Sequence, residues 1–208
     1  IPGFYDDVPE WSAAERERLS ALPFEEAAFR SDAGMAASVP FAGEADYSVY
    51  ERLWTRPAIA VTALEAMPLA EAAKPLIDPA RARIGLRIAP GQDPALARGR
   101  LVAFLERDAP LGVEIETQVE AAVPGWRTDP RGPAFDAARR ALAEGYPREP
   151  VAIGCGGTIP CVAPYGSLLG GVPALLLGVE DPPCNAHGEN ESLDLGDFEK
   201  AARSAAHL

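Results

Sequence analysis

The chain has 208 residues, of which 48% are hydrophobic, and its 31 acidic and 19 basic side chains give a formal net charge of −12. This length and composition suffice for one large domain or two small ones with a buried core. The negative charge argues against nucleic acid and anionic membranes as partners, and no apolar run approaches the roughly 20 residues that cross a bilayer.

Three short helices are predicted in the first quarter of the chain. Ser12 precedes an apolar-periodic segment, and Glu15 follows it three residues later. This is the spacing of a capping box, in which each side chain bonds the backbone N–H of the other residue. Further short helices are predicted within residues 23–34 and 46–54.

Alternating segments in the middle of the chain predict a small antiparallel sheet covered by helices. The clearest strand spans residues 80–88, and residues 58–64 and 112–120 alternate as well. A helix is predicted after Asp93, which can cap it, with Pro94 in its first position. On the clearest strand, one face is apolar and the other basic: Ala82, Ile84, Leu86 and Ile88 against Arg81, Arg83 and Arg87.

The last third of the chain has the pattern of a mainly parallel α/β domain. Residues 151–154 and 172–179 are short continuous apolar runs, which suit strands buried on both faces. Helices are predicted around Phe135, after a glycine-rich loop at 154–160, and over 195–206. The last of these carries an apolar stripe at helical spacing, formed by Phe198, Ala202 and Ala205.

His187 is one of only two histidines in the chain and lies in the loop before the last helix. Ligands of open α/β sheets gather beyond the carboxyl ends of the strands, and a neutral imidazole there is a natural metal ligand. Taken alone, the residue is more typical of a loop histidine that hydrogen-bonds locally. Cys184 lies three residues earlier, but the paired close ligands of a structural zinc site are absent.

The segment GCGGTIP at 154–160 has the character of an anion cradle. Glycines let backbone N–H groups approach a ligand, and the N-terminus of a following helix favours negative charge. A glycine turn with Thr158 as a helix cap is the alternative. The segment lacks the lysine of a P-loop and the third glycine of a dinucleotide fingerprint, which disfavours nucleotide binding.

Arg87 and the cysteines complete the candidates. A guanidinium on a rigid strand can hold a carboxylate with two hydrogen bonds, although most such arginines simply face solvent. Cys155, Cys161 and Cys184 are an odd number of loosely spaced cysteines. They predict a reducing, cytoplasmic location without a disulfide framework.

Four segments together resemble the carnosinase-like dipeptidases, which are part of the co-catalytic zinc aminoacylase and carboxypeptidase superfamily of metallopeptidases. They occur in the family's order over nearly the whole chain, and the sequence AHGENE is the most specific. The segments are PGFYDDV (2–8), LRIAPGQDP (86–94), GCGGTIP (154–160) and LLLGVEDPPCNAHGENESLDLGDFEKA (175–201).

The resemblance implies a two-domain enzyme. A catalytic α/β domain holds two zinc ions, and an inserted lid domain, with an antiparallel sheet and helices, usually mediates dimerisation. Residues 1–121 would be the lid without its N-terminal part, and residues 122–208 the C-terminal portion of the catalytic domain. The change of pattern near residue 122 agrees with this division. The chain would thus be a C-terminal fragment, which we expect to be inactive alone.

The resemblance also implies roles for individual residues. His187 would be a terminal zinc ligand, and Gly157 and Thr158 would bind the substrate carboxylate at a helix N-terminus. Arg87 would reach the same carboxylate from the lid. The Asn190–Glu191 pair would hold the histidine loop in place.

Several features of the family are missing from the chain. The family's His-x-Asp pair, bridging Asp and Glu-Glu pair with the general base lie upstream, so no catalytic residue is assigned within these 208 residues. Gly154 and Cys155 stand where many carnosinases have Arg-Glu. Any contact that this arginine makes in the family is therefore in doubt here.

These observations predict a zinc-dependent hydrolase of peptide or amide bonds. Its substrate would be a dipeptide or N-acyl amino acid with a free carboxylate. Its partners would be the N-terminal part of the same protein and a second copy in a homodimer. The alternative is a non-catalytic dimerisation module, or an anion-binding module that uses the loop at 154–160.

Overall fold

The described chain divides into two compact units. The computed structural model describes residues 1–71, 79–107, 109–120, 122–157 and 159–208. Unit 1 comprises residues 1–11 and 43–125, and unit 2 comprises residues 12–42 and 126–208. The assignment of residues 1–121 to a lid and 122–208 to a catalytic domain stays a prediction. No helix in the described part of the chain is both long and apolar enough to span a membrane.

The described residues form helices and one two-stranded antiparallel sheet. The predicted antiparallel sheet is present, but every residue of β1 is exposed, so the predicted cover of helices is not found over this strand. Short 3-10 turns occur at Leu69–Glu71, Pro110–Gly112 and Pro182–Cys184. In chain order, the longer elements are α1 (Ala13–Ser20), α2 (Glu26–Asp32), α3 (Val49–Trp54), β1 (Ala58–Glu65), β2 (Arg81–Arg87), α4 (Pro94–Arg107), α5 (Pro133–Gly145), α6 (Val162–Leu168) and α7 (Leu195–His207).

Helix starts follow the local signals of the sequence. The hydroxyl of Ser12 accepts the N–H of Glu15 at 3.3 Å, and the Glu15 carboxylate accepts the N–H of Ser12 at 2.9 Å. The predicted capping box of α1 is therefore confirmed. Asp93 accepts the N–H of Ala95 at 2.7 Å, which satisfies one of the free donors in the first turn of α4.

Strands β1 and β2 pair antiparallel, and their register shifts by one residue at Thr62. The Thr62 hydroxyl donates to the Arg83 carbonyl at 3.3 Å. Side chains alternate between the two faces of a strand, so one additional residue reverses the alternation. The shift places Leu64 on the same face as Ile59 and Val61, and it aligns the apolar side chains of the two strands.

Three predicted strands are absent from the described residues. Residues 112–120, 151–154 and 172–179 have no partner strand there, and the Ile153 side chain is 68% exposed. The prediction of strands buried on both faces is therefore wrong for the two apolar runs in this structure. An apolar or alternating sequence forms a strand only where a neighbour pairs with its backbone N–H and C=O groups.

The N-terminal segment is tied to the start of α4 by a polar network in unit 1. The Gln92 side chain donates to the Phe4 carbonyl at 3.1 Å and to Asp7 at 3.3 Å, and it accepts the N–H of Ala89 at 2.8 Å. Arg100 also donates to Asp7. Burial alone would raise the pKa of the Asp7 carboxyl. The hydrogen bonds from Arg100 and Gln92 outweigh it, so the pKa of Asp7 lies below its ordinary value.

Helices α5 and α7 make the closest helix contact in unit 2. Ala138 and Ala141 are buried on α5. A Cβ built on Gly145 would lie 2.2 Å from the Ser204 Oγ and 2.4 Å from the Lys200 carbonyl oxygen. Small side chains on α5 therefore allow α7 to approach as closely as the backbone permits.

The buried side of α7 differs from the predicted apolar stripe. Phe198 is 53% exposed, whereas Ser204 is buried and donates its hydroxyl to the Lys200 carbonyl at 2.9 Å. The predicted stripe of Phe198, Ala202 and Ala205 is therefore not the buried face of α7, because all three residues are exposed. Close packing selects the positions with the smallest side chains, and the hydroxyl of Ser204 is satisfied within its own helix.

Replacing Gly145 by alanine should destabilise unit 2, because the new methyl group overlaps the backbone and side chain of α7. We expect Gly145→Ala to lower the free energy of unfolding by about 1–3 kcal/mol, measured by urea unfolding with circular dichroism. Gly166→Ala is the control in the same unit, because a Cβ there meets nothing within 4 Å. An equal loss in both variants would contradict the close approach.

The Asp7 network predicts a pH dependence for unit 1. Because the folded pKa of Asp7 is lowered, its stabilisation is present at neutral pH and is lost as the pH falls through that pKa. Asp7→Asn should cost about 1–3 kcal/mol at pH 7 and less at pH 3, measured by urea unfolding. Asp6→Asn, at the exposed neighbouring residue, is the control. If Asp7→Asn lowers the free energy of unfolding equally at pH 7 and pH 3, the charge of Asp7 is not the source of the stabilisation.

Candidate functional site

The predicted metal ligand lies in a closed loop of unit 2. We call residues 184–192 the His187 loop. The N–H of Ser192 donates to the carbonyl of Cys184 at 2.9 Å, so a hydrogen bond joins the two ends of the loop. The loop therefore starts and finishes at a fixed separation.

Cys184 anchors the start of this loop. Asp181 caps the turn Pro182–Cys184, and its Oδ1 accepts the Cys184 N–H at 3.1 Å and the thiol S–H at 2.9 Å. The Cys184 Sγ in turn accepts the N–H of Asp181 at 3.3 Å. The S–H bond to this carboxylate raises the pKa of the Cys184 thiol, and the residue is only 2% exposed. Cys184 is therefore held as a neutral, buried thiol.

Three residues of the His187 loop have left-handed backbone conformations. The φ angles are +52° at Asn185, +63° at His187 and +57° at Asn190. Leu111 is the only other non-glycine residue in the described ranges with a positive φ. Such a conformation costs a non-glycine residue roughly 1–3 kcal/mol and persists only where the surroundings enforce it.

Hydrogen bonds inside the loop enforce these conformations. The Asn185 carbonyl accepts the N–H of Gly188 at 2.8 Å, and the Asn185 side-chain amide donates to the Glu189 carbonyl at 2.8 Å. The backbone N–H of His187 donates to the Glu191 carboxylate at 3.2 Å. Glu191 thus contacts the residue that carries the imidazole, as a loop-holding residue would.

The His187 imidazole is exposed and fits a terminal zinc ligand. A neutral imidazole on a fixed loop is a favoured ligand for zinc. Across the described ranges, however, no three His, Cys, Asp or Glu side chains are grouped to hold a metal ion. The described donors therefore fit one ligand of a zinc centre and do not complete the centre.

The glycine-rich loop is also exposed, but it differs from the predicted cradle. The N–H of Gly157 donates to the Cys155 Sγ at 3.3 Å. Helix α6 begins at Val162, with Cys161 before it, and so does not start directly after the glycines. Thr158, the other predicted cradle residue, lies outside the described residues.

Arg87 differs from its neighbours on the basic face of β2. Arg81 lies 3.6 Å from the Glu65 carboxylate, and Arg83 donates to Glu120 at 2.7 Å. Arg87 is exposed at the end of β2, where its backbone pairs with Ala58, and no hydrogen bond or ion pair joins its side chain to another described residue. Of the three arginines, Arg87 therefore has a guanidinium that is available to a ligand.

The described site residues are distributed over both units. Arg87 belongs to unit 1, whereas Gly157 and His187 belong to unit 2. No hydrogen bond links Gly157 to His187 among the described contacts of unit 2. Their roles as substrate-binding and metal-binding residues stay predictions.

Sequence reasoning missed the anchor of the His187 loop. Asp181 is followed by two prolines, which is the signature of a capping aspartate with proline in the first helical position. That signal was available for the turn. Nothing in the spacing of Cys184 indicates that its thiol is buried against the capping carboxylate.

Comparison with known proteins identifies similar peptidases. No family model matches the chain. A cysteinylglycine-S-conjugate dipeptidase from Corynebacterium striatum is 29% identical over 187 residues, which are 89% of this chain and 41% of that protein. The chain therefore spans less than half the length of this relative.

Three solved structures share the fold. The di-peptidase Dug1p from Saccharomyces cerevisiae matches with a TM-score of 0.82 and 21% identity, over 100% of this chain and 43% of its own. Human carnosine dipeptidase 1 matches with a TM-score of 0.81 and 17% identity, over 100% and 44%. The M20 family metallo-carboxypeptidase Sso-CP2 from Sulfolobus solfataricus matches with a TM-score of 0.81 and 25% identity, over 99% and 46%.

The two structures below 25% identity establish the fold, and the curated relative adds similarity in sequence. Together they confirm the predicted fold class at the level of a small antiparallel sheet with helices that matches part of the peptidase fold. The resemblance inferred from the sequence is confirmed: over nearly its whole length, the chain is similar to part of the dipeptidases and carboxypeptidases of the M20 metallopeptidase family.

Proposed function

We propose that the protein containing this chain is a zinc-dependent dipeptidase-type hydrolase. It cleaves the peptide or amide bond of dipeptides or N-acyl amino acids that have a free carboxylate. The observation that carries the proposal is the exposed imidazole of His187, held in a hydrogen-bonded left-handed loop. The similarity of the chain to dipeptidases supports the same reaction class.

His187 serves as a terminal zinc ligand in this proposal. When bound, zinc supplies Lewis-acid polarisation of a carbonyl and a lowered pKa for water. The loop holds the backbone of His187 in one conformation, so little backbone entropy is lost when the ligand binds. The remaining ligands and the general base come from the N-terminal part of the same protein. The 208-residue chain alone is therefore inactive.

Selection of a free carboxylate falls to Arg87, Gly157 and Thr158. The guanidinium of Arg87, which has no ion pair with another described residue, can form two parallel hydrogen bonds with a carboxylate. The backbone N–H groups of the loop at 154–160 are further donors for a carboxylate. A substrate without a free carboxylate loses these hydrogen bonds.

The protein acts as a homodimer in the cytoplasm in this proposal. Every residue of β1 is exposed, and an exposed edge strand is a surface that a second chain can cover. Cys155 and Cys161 are exposed free thiols, which suits a reducing compartment.

The decisive experiment compares this chain with the complete protein, using Cys-Gly and β-alanyl-histidine as substrates with added zinc. We expect hydrolysis by the complete protein only. We expect His187→Ala to lower kcat/KM at least about 100-fold and to reduce the bound zinc. His207→Ala, which changes the chain's other histidine at the end of α7, is the control.

Hydrolysis by the 208-residue chain alone would refute the need for ligands from elsewhere. Full activity and zinc content in His187→Ala would refute the metal-ligand role. Self-association without zinc binding or hydrolysis by the complete protein would favour the alternative, a non-catalytic dimerisation or anion-binding module.

Arg87 should control the preference for a free carboxylate. In the complete protein, Arg87→Ala should raise KM for a free dipeptide about 10–100-fold, because a charge-assisted hydrogen bond is lost. It should leave the weak hydrolysis of the C-terminally amidated dipeptide unchanged. Arg81→Ala, at the other end of the same strand face, is the matched control. An equal loss with both substrates would contradict carboxylate binding by Arg87.

A further inference from the structure

The His187 loop depends on a residue that carries no proposed chemistry of its own. Cys184 is the buried residue of the segment from Glu180 to Ser192, whose other members are exposed. Its backbone and side chain make five hydrogen bonds, four with Asp181 and one with Ser192. The only buried point of the loop is therefore also the point where its two ends meet.

The loop has little else to hold it. Its other hydrogen bonds are all internal. The His187 N–H donates to Glu191, the Gly188 N–H donates to the Asn185 carbonyl, and the Asn185 side-chain amide donates to the Glu189 carbonyl. Internal bonds define the shape of the loop, but they do not fix its direction relative to the rest of unit 2. Cys184 is 2% exposed, and its thiol is hydrogen-bonded to Asp181, which precedes the loop, so it supplies that connection.

Three left-handed residues make the loop sensitive to the loss of this anchor. Each of these conformations is unfavourable by itself, and the closed hydrogen-bonded ring maintains them together. If the junction of Cys184, Asp181 and Ser192 opens, the backbone at His187 can relax to an ordinary conformation. The imidazole then points in a different direction.

We propose that Cys184 is a positioning residue for His187, and that its buried thiol, bonded to Asp181, fixes the direction in which the loop presents the imidazole. This inference rests on the proposed function, because a fixed direction matters only where His187 binds a metal ion. Cys184 itself touches neither metal nor substrate. A group that orients a metal ligand typically changes metal affinity 10–100-fold when it is removed.

The thiol can be replaced in two informative ways. Serine retains a donor and an acceptor at the same position and can reproduce both bonds with Asp181. Alanine retains the small volume and removes both bonds. Cys161→Ala is the matched control, because Cys161 is an exposed free thiol of the same unit.

The first measurement is amide hydrogen exchange in the 208-residue chain. In Cys184→Ala, the amides of His187, Gly188 and Ser192 should exchange at least about tenfold faster than in the unchanged chain. Cys184→Ser should restore most of the protection, and Cys161→Ala should change nothing. Urea unfolding of each variant verifies that unit 2 remains folded. Unchanged exchange in Cys184→Ala would overturn the proposal.

The second measurement is zinc affinity of the complete protein, determined by competition with a chelating dye. Cys184→Ala should bind zinc about tenfold more weakly although no donor atom is removed, and Cys184→Ser should restore the affinity. Normal affinity in Cys184→Ala beside weakened binding in His187→Ala would overturn this inference and leave the proposed function intact. Normal affinity in His187→Ala would overturn both.

Discussion

Hydrogen bonds between side chains and backbone are the interaction on which both units depend. The buried positions of the described chain are few and mostly small, and several are polar: Glu51, Thr55, Gln92 and Ser204. Gln92 holds the N-terminal segment against α4, and Cys184 closes the His187 loop in the same manner. A buried polar group without a partner costs about 1–3 kcal/mol. These local networks therefore define geometry that a larger apolar core would otherwise impose.

The site follows from this construction. A loop that carries a metal ligand must be exposed, so it cannot be fixed by burying its own side chains. The His187 loop instead closes on itself through Cys184 and Ser192, and it uses the Glu191 carboxylate to hold the backbone beneath the imidazole. Arg87 shows the complementary principle on a strand, where the backbone is rigid and the guanidinium has no ion pair with another described residue. In both arrangements, an exposed side chain that can bind a ligand is carried by a backbone that is already ordered.

Local signals in the sequence predicted the elements that depend only on neighbouring residues. The capping box at Ser12 and the cap at Asp93 follow from spacing, and the alternation of residues 58–64 and 80–88 predicted two strands of an antiparallel sheet. The strand predictions for residues 112–120, 151–154 and 172–179 failed because a strand requires a partner strand, which sequence periodicity does not reveal. The prediction of the buried face of α7 failed for a related reason. The close approach of α7 to α5 depends on Gly145, which is on α5 and not on α7.

The candidate site was only partly predictable. The positions of His187, Gly157 and Arg87 in the sequence made them candidates, and a resemblance over nearly the whole chain implied their roles. Comparison with known peptidases confirms the resemblance, while the individual roles stay predictions. The left-handed backbone at His187 and the buried thiol of Cys184 arise from contacts within a loop without periodicity. Asparagine and histidine tolerate such conformations better than most residues, but composition does not show which of them adopts one.

The register shift at Thr62 has a consequence for how β1 can vary in length. The single additional residue compensates for an odd spacing between Val61 and Leu64. Deleting Thr62 would remove the additional residue and leave Val61 and Leu64 on one face of a regular ladder, whereas deleting two residues there would move Leu64 to the opposite face. A one-residue deletion at this point of β1 should therefore be tolerated better than a two-residue deletion.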